Sequence, residues 1–170
     1  MKTGHIYFSL ILFCLIVPAS FAQTIKGHYA IKNTQTGLLL RVQDAKKANG
    51  TPIVAYSPVN WKCVTWDFMH IEGDTYQLRN LFTSKTLQPE DSAPGDGINL
   101  EQQPLVTAQT NQEYEFIPTG KATYRIKLKG TDLYITPSDS KGSVNSRITL
   151  AKKADSKAQL WTIYEQDPEI

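Results

Sequence analysis

The chain has few cysteines and no excess of charge of either sign. Of its 170 residues only Cys14 and Cys63 are cysteines, and Cys14 lies in an apolar N-terminal run. Since the one cysteine outside that run cannot form an internal disulfide, the domain must be stabilised by its hydrophobic core. The chain has 18 basic and 16 acidic side chains and no basic stripe. This balance excludes the charge pattern typical of nucleic-acid binding.

The sequence also lacks the short motifs of common enzyme classes. It contains no Gly-x-Ser-x-Gly nucleophile motif and no phosphate-binding Gly-Lys motif. His28 and His70 have no second ligand at the spacing of a metal site, and Cys63 has no activating neighbour in sequence. The chain is therefore predicted to be non-enzymatic and to need no metal or other cofactor.

Residues 1–22 differ from the rest of the chain and have the pattern of a secretory signal peptide. Ile6–Val17 is an almost unbroken apolar run, and small residues stand at the two positions that signal peptidase reads before Gln23. The run is 12 residues long, whereas a transmembrane anchor needs about 20. We expect cleavage before Gln23 and a secreted or periplasmic domain, residues 23–170, that has no membrane segment.

A unit of about 47 residues occurs three times in the rest of the chain. When Tyr29, Tyr76 and Tyr124 are aligned, three further groups of residues fall into register. These groups are Leu40, Leu87 and Ile135; Ile53, Ile98 and Ile148; and Trp66, Tyr114 and Trp161. The predicted repeats span about residues 25–72, 73–119 and 120–167.

Each aligned group lies in a short stretch where apolar and polar residues alternate, as Trp66 and Phe68 do. Alternation with a period of two predicts β-strands, and no stretch after residue 22 has a sustained helical period. Four strands in each of three units predict an all-β domain of about twelve strands. A propeller would need about four blades or more, so a closed three-lobed barrel is favoured. We expect the recurring aromatic residues Trp66, Tyr114 and Trp161 to pack in its core.

The segment Asn49–Tyr56, which reads NGTPIVAY and is followed by Trp66, resembles the motif of ricin-type β-trefoil lectin domains. The closing Gln-x-Trp motif of that family is complete at Gln159-Leu160-Trp161 and partial at Gln112-Glu113-Tyr114 and Val64-Thr65-Trp66. The resemblance extends over residues 25–165. It implies a β-trefoil with three four-stranded repeats and a carbohydrate-binding function.

In that family a sugar-binding unit uses an Asp, a stacking aromatic ring and an Asn. In the three units in order, the Asp position corresponds to Arg41, Gln88 and Thr136. The aromatic position corresponds to Tyr56, Glu101 and Ala151. The Asn position corresponds to Cys63, Asn111 and Ala158. The first unit therefore has a stacking ring, and the second has two amides. The resemblance implies candidate carbohydrate-binding residues at Arg41, Tyr56, Gln88 and Asn111. Two further candidates in the first unit come from the residues themselves: Asp44, a carboxylate three positions after Arg41, and Trp61, a large aromatic in the loop after Tyr56.

Two features of these residues have alternative explanations. Asp44, Asp91 and Asp139 recur at the same phase, and a side chain that hydrogen-bonds its own turn explains an Asp there without a ligand. Trp61 lies in a loop and either contributes to a binding surface or anchors that loop on the barrel.

The function also stays open between two classes, because the fold accommodates both. One is a module that binds a glycan or glycoconjugate outside the cell. The other is a protein-binding trefoil, such as a secreted protease inhibitor or an assembly partner.

Overall fold

The computed structural model describes residues 24–170, and the predicted signal peptide lies outside the described residues. Twelve strands and four 3₁₀ turns of three residues each make up the regular structure of this part of the chain. The strands are β1 His28–Asn33, β2 Leu39–Val42, β3 Ile53–Tyr56, β4 Thr65–Glu72, β5 Thr75–Asn80, β6 Thr86–Pro89, β7 Leu100–Gln103, β8 Tyr114–Gly120, β9 Thr123–Leu128, β10 Leu133–Pro137, β11 Ile148–Lys152 and β12 Trp161–Glu165. The 3₁₀ turns are Gln43–Ala45, Lys62–Val64, Thr110–Gln112 and Lys157–Gln159. The prediction of about twelve strands with little helix is confirmed.

Six strands close into an antiparallel barrel. In order around the barrel they are β1, β4, β5, β8, β9 and β12, and β12 returns to pair with β1. The other six form three hairpins, β2–β3, β6–β7 and β10–β11, one from each repeat. Single β-bridges join the hairpins to one another, for example Val54 to Arg147 and Asn99 to Thr149. The arrangement is a β-trefoil.

The three recurring aromatic residues lie in the core, as predicted. Trp66, Tyr114 and Trp161 are at most 1% exposed. Each donates a hydrogen bond to a main-chain oxygen at the same repeat position: Trp66 to Leu40 at 3.0 Å, Tyr114 to Leu87 at 3.3 Å and Trp161 to Ile135 at 3.1 Å. The same residue therefore fills the core and satisfies a buried carbonyl in every repeat.

Buried asparagines connect neighbouring repeats. Asn80 donates a hydrogen bond to the Cys63 carbonyl oxygen at 3.2 Å, and its own side-chain oxygen accepts from the amides of Phe82 and Thr83. Asn33 makes the corresponding bond to the Ala158 oxygen at 2.8 Å. The Asn80 bonds fix Cys63 and Phe82 next to each other, and both belong to the candidate site described below.

Within residues 24–170 no helix is long and apolar enough to cross a membrane.

Candidate functional site

A pocket of about 210 Å³ opens on the first repeat. Its walls come from strand β2, two 3₁₀ turns, the loop after β3, the turn after β5 and the C-terminal segment. The lining residues are Arg41, Ala45, Trp61, Cys63, Phe82 and Ile170. Arg41 is the polar member of a lining that is otherwise apolar, apart from the Cys63 thiol. The pocket thus combines a cation with surfaces that bind apolar groups.

Arg41 is buried against Tyr56. In the register of the hairpin, Leu39 of β2 lies opposite Tyr56 of β3. Arg41 follows two residues after Leu39 on the same face of the strand, so it is the diagonal neighbour of the Tyr56 ring. Its guanidinium carbon lies 3.8 Å from the centre of the Tyr56 ring, within the range of a cation–π interaction. Arg41 is only 7% exposed, and its Nε atom has no hydrogen-bond partner among residues 24–170. A buried N–H donor is therefore left unsatisfied beside the pocket.

The structure also brings Trp61 to Tyr56. The two ring centres are 6.2 Å apart and the planes are tilted by 32°. Trp61 is half-buried and packs against a small apolar cluster that includes Leu39, Cys63 and Val64. Trp61 therefore packs on the barrel as the loop-anchor explanation predicts, and it also lines the pocket. Its contribution to a binding surface stays a prediction. One face of Tyr56 is covered by Arg41, so a sugar could stack only on the part of the ring that remains open.

Asp44 stands apart from this group. It is exposed, has a left-handed φ of 52°, and its carboxylate pairs with Lys46 at 3.5 Å. Its counterpart Asp139 behaves as the turn explanation predicts, because its carboxylate accepts from the amides of Lys141 and Ser143. Hydrogen bonds from Ser143 and Lys141 lower the pKa of Asp139. Asp44 has no such bond among the described hydrogen bonds, although its neighbour Ala45 lines the pocket.

The candidate residues of the second repeat form a network of amides. Gln88 accepts a hydrogen bond from Gln112 at 2.8 Å, and Asn111 accepts one from Gln109 at 2.8 Å. Gln109 also reaches Gln88 at 3.5 Å, so it links the two predicted residues. Sequence reasoning missed Gln109, and its position two residues before Asn111 is the signal that could have found it. Glu101, which takes the aromatic position here, accepts from Gln103.

The closing glutamines hold the loop that precedes them. Gln112 accepts from the Val106 amide and donates to the Pro104 carbonyl, and Gln159 accepts from the Ala154 amide and donates to the Lys152 carbonyl. In the first repeat this position is Val64, which cannot make either bond. The missing glutamine was visible in the sequence, but its replacement was not.

The C-terminal segment supplies that replacement and completes the first site. Gln166 donates to the Val59 carbonyl at 2.9 Å and accepts from the Thr65 hydroxyl at 2.7 Å. Further along, the Lys62 amide donates to the Ile170 oxygen at 2.6 Å. These bonds place Ile170 at the pocket, and no feature of the repeat pattern predicts them.

Residues 24–170 contain no cluster of three or more His, Cys, Asp or Glu side chains arranged to hold a metal ion. The Nε2 atom of His28 lies 4.0 Å from the Oδ1 atom of Asp67. His70 is exposed, and its ring forms a hydrogen bond with the Gly73 carbonyl oxygen.

The family follows from the sequence match. Residues 62–151 match the family described as ricin-type β-trefoil lectin domain-like. The chain belongs to this family. The resemblance found in the repeat motifs is thereby confirmed, together with the β-trefoil fold. A search of curated proteins gives no significant match.

Solved structures of other proteins have the same fold. The designed threefold symmetric protein ThreeFoil superposes with a TM-score of 0.77 at 19% identity, over 82% of this chain and 99% of that protein. A ricin B-like lectin of Macrolepiota procera, solved in complex with lactose, has a TM-score of 0.69 at 20% identity, over 86% and 100% of the two chains.

The exo-β-1,3-galactanase 1,3Gal43A of Clostridium thermocellum has a TM-score of 0.75 at 21% identity, over 81% of this chain but only 30% of the enzyme. At these identities the similarity shows the fold alone. The fold thus occurs in a lectin that this chain covers completely and in one part of a larger enzyme.

Proposed function

We propose that this chain is a secreted, non-catalytic lectin-like module that binds extracellular glycans through the first-repeat pocket. The observation that supports this most is that Trp61 and the unsatisfied Arg41 line one pocket, in the repeat that also keeps the family's aromatic position at Tyr56. The signal-like pattern of residues 1–22 supports the extracellular location.

The geometry suggests how a sugar would be held. A pyranose has an apolar face that can pack on the indole of Trp61, and Arg41 offers N–H donors to ring hydroxyls. A pocket of about 210 Å³ is smaller than the ~300–1,000 Å³ common for drug-sized ligands. We therefore expect one sugar residue to enter it, with the rest of the glycan outside.

A glycan array followed by calorimetry tests the proposal. We expect single-site dissociation constants on the order of 0.1 to 1 mM, or about 4 to 5.5 kcal/mol. Trp61→Ala and Tyr56→Ala should each weaken binding about tenfold or more. Tyr164→Ala is the matched control, because Tyr164 is a partly exposed aromatic on β12 that does not line the pocket.

The second repeat gives the competing location for a glycan site. Gln88→Ala and Asn111→Ala alter the amide network without touching the first-repeat pocket. Binding that survives Trp61→Ala and Tyr56→Ala but is lost in these two variants would move the site to the second repeat.

A protein partner is the second candidate function. Phe82 is 37% exposed and Ile170 is 72% exposed, and both line the pocket, so an apolar protein side chain could also dock there. Absence of binding on a broad glycan array, together with inhibition in a panel of proteases, would favour this function over glycan binding.

A further inference from the structure

Arg41 differs from every other arginine of the chain. The sequence has four arginines, and three have a carboxylate partner: Arg79 with Asp67 at 2.7 Å, Arg125 with Asp155 at 3.6 Å and Arg147 with Glu90 at 2.8 Å. Arg41 is the most deeply buried of them and has no carboxylate within ion-pair distance among residues 24–170.

An unpaired buried cation is costly. Removing a charge from water costs several kcal/mol unless a counter-charge or hydrogen bonds compensate it. The Tyr56 ring offsets part of that cost by packing on the flat face of the guanidinium. It cannot satisfy the N–H donors, because these point outward in the plane of the group. The fold therefore leaves in-plane donors of Arg41 available for an acceptor that residues 24–170 do not provide.

Two lysines, Lys47 and Lys62, lie beside the pocket, as does the acidic Glu169 next to the lining residue Ile170. The Lys47 ammonium lies 4.9 Å from the ring centre of Phe82, a lining residue. Lys62 lies between the lining residues Trp61 and Cys63, and its side chain contacts the Glu169 carbonyl oxygen. Asp44, the acidic residue nearest in sequence to Arg41, is paired with Lys46. Positive charge next to the opening would attract an anion.

We propose that the first-repeat pocket selects an acidic saccharide, that is, a sugar that carries a carboxylate or sulfate group. This proposal rests on the glycan-binding function proposed above. The carboxylate or sulfate accepts hydrogen bonds from the guanidinium of Arg41, which can donate two parallel bonds to the two oxygens of a carboxylate or to two of the oxygens of a sulfate. The sugar ring packs on Trp61. In the family, the Asp at this position accepts hydrogen bonds from the neutral hydroxyls of a sugar. Arg41 at the same position is a donor with a positive charge, so we expect this site to prefer a sugar with a negative charge.

Calorimetric or NMR titration with three related sugars tests the proposal. Galactose, galacturonate and galactose 6-sulfate share a ring and differ in charge. We expect at least one anionic sugar to bind about tenfold tighter than galactose. The tighter binder of the two anionic sugars shows whether the pocket prefers a carboxylate or a sulfate group.

Arg41→Gln should remove the preference for the anionic sugar, and Arg41→Lys should retain part of it, because lysine keeps the charge but loses the planar pair of donors. Arg79→Gln is the matched control, since it removes an equal charge from an exposed arginine outside the pocket. Thermal unfolding of each variant checks the fold, and the indole NMR signal of Trp61 reports occupancy independently.

The outcomes separate the two proposals. Equal binding of galactose and both anionic sugars would overturn the acidic preference and leave glycan binding intact. An anionic preference that persists in Arg41→Gln would overturn the role of Arg41. Acetate or inorganic sulfate that binds as tightly as the sugars would show an anion site without saccharide recognition and overturn the inference. No binding of any sugar, here and on the array, would overturn both proposals.

Discussion

The side chain of Gln166 donates a hydrogen bond to the carbonyl oxygen of Val59 at 2.9 Å. The two residues are 107 positions apart in sequence. In the second and third repeats a glutamine inside the repeat, Gln112 or Gln159, holds the equivalent loop. The first repeat has Val64 at that position, and the C-terminal segment supplies the missing amide from outside the repeat.

The first prediction concerns the stability that Gln166 contributes. Gln166→Ala removes the bonds to Val59 and Thr65 and leaves the partly buried Val59 carbonyl oxygen unpaired, whereas the Thr65 hydroxyl can still donate to the Trp61 carbonyl at 2.8 Å. We expect the free energy of unfolding to fall by about 1–3 kcal/mol in urea denaturation. Gln35→Ala is the control, because Gln35 is exposed and its side chain donates to the Ser140 carbonyl alone. Equal losses in the two variants would contradict this role of Gln166.

The second prediction concerns the energetic cost of Arg41. Arg41→Met removes a buried charge without a carboxylate partner and keeps a side chain of similar length. We expect the free energy of unfolding to stay unchanged or to rise by about 1 kcal/mol, because the lost desolvation cost outweighs the lost contact with Tyr56. Binding of the anionic sugar should be lost in the same variant.

Arg147→Met provides the comparison, because Arg147 is paired with Glu90. Breaking a partly exposed pair should lower the free energy of unfolding by about 0–1 kcal/mol. A loss of more than about 1 kcal/mol in Arg41→Met would show that Arg41 stabilises the fold instead of serving a ligand.

The third prediction is an alkaline decline in stability that depends on Tyr114. Burial raises the pKa of the Tyr114 hydroxyl far above its ordinary value. Because the unfolded chain ionises this group near pH 10, the stability it contributes is complete below that pH. It is lost progressively as the pH rises above that value toward the folded-state pKa.

Urea denaturation at pH 8 and at pH 11 measures this effect. The decline between the two pH values should be smaller in Tyr114→Phe than in the native chain. Tyr164→Phe should change it less, because Tyr164 is 36% exposed. An unchanged decline in Tyr114→Phe would mean that other groups cause it.

The fourth prediction concerns the thiol of Cys63, which is free and 4% exposed at the pocket. A thiol reagent should label it slowly in the native protein and completely after denaturation, because the thiolate must be accessible to react. Phe82→Ala should speed native labelling, since Phe82 shares the pocket lining with Cys63. A covalent dimer on a non-reducing gel would contradict the free thiol.

Much of the fold could be predicted because it depends on local patterns. Alternation around Trp66 and Phe68 indicates a strand without reference to the rest of the chain, and the threefold recurrence of Trp66, Tyr114 and Trp161 indicates three equivalent lobes. The family resemblance supplied the site positions Arg41, Tyr56, Gln88 and Asn111, and the loop position of Trp61 added that residue; the structure brings these five together in two groups. These are Arg41, Tyr56 and Trp61 in the first repeat, and Gln88 with Asn111 in the second.

What the sequence by itself determined is the repeat, the strands and the residues of the core. The strands and the core follow from alternation between side chains a few positions apart, and the repeat follows from the return of that pattern about every 47 residues. The tertiary structure alone decided that Arg41 lies on Tyr56 with no carboxylate partner within residues 24–170, since strand register sets that contact. It also decided that Gln166 completes the first repeat and that Ile170 reaches the pocket. Such contacts join distant segments, and only the closed barrel, in which β12 returns to β1, brings those segments together.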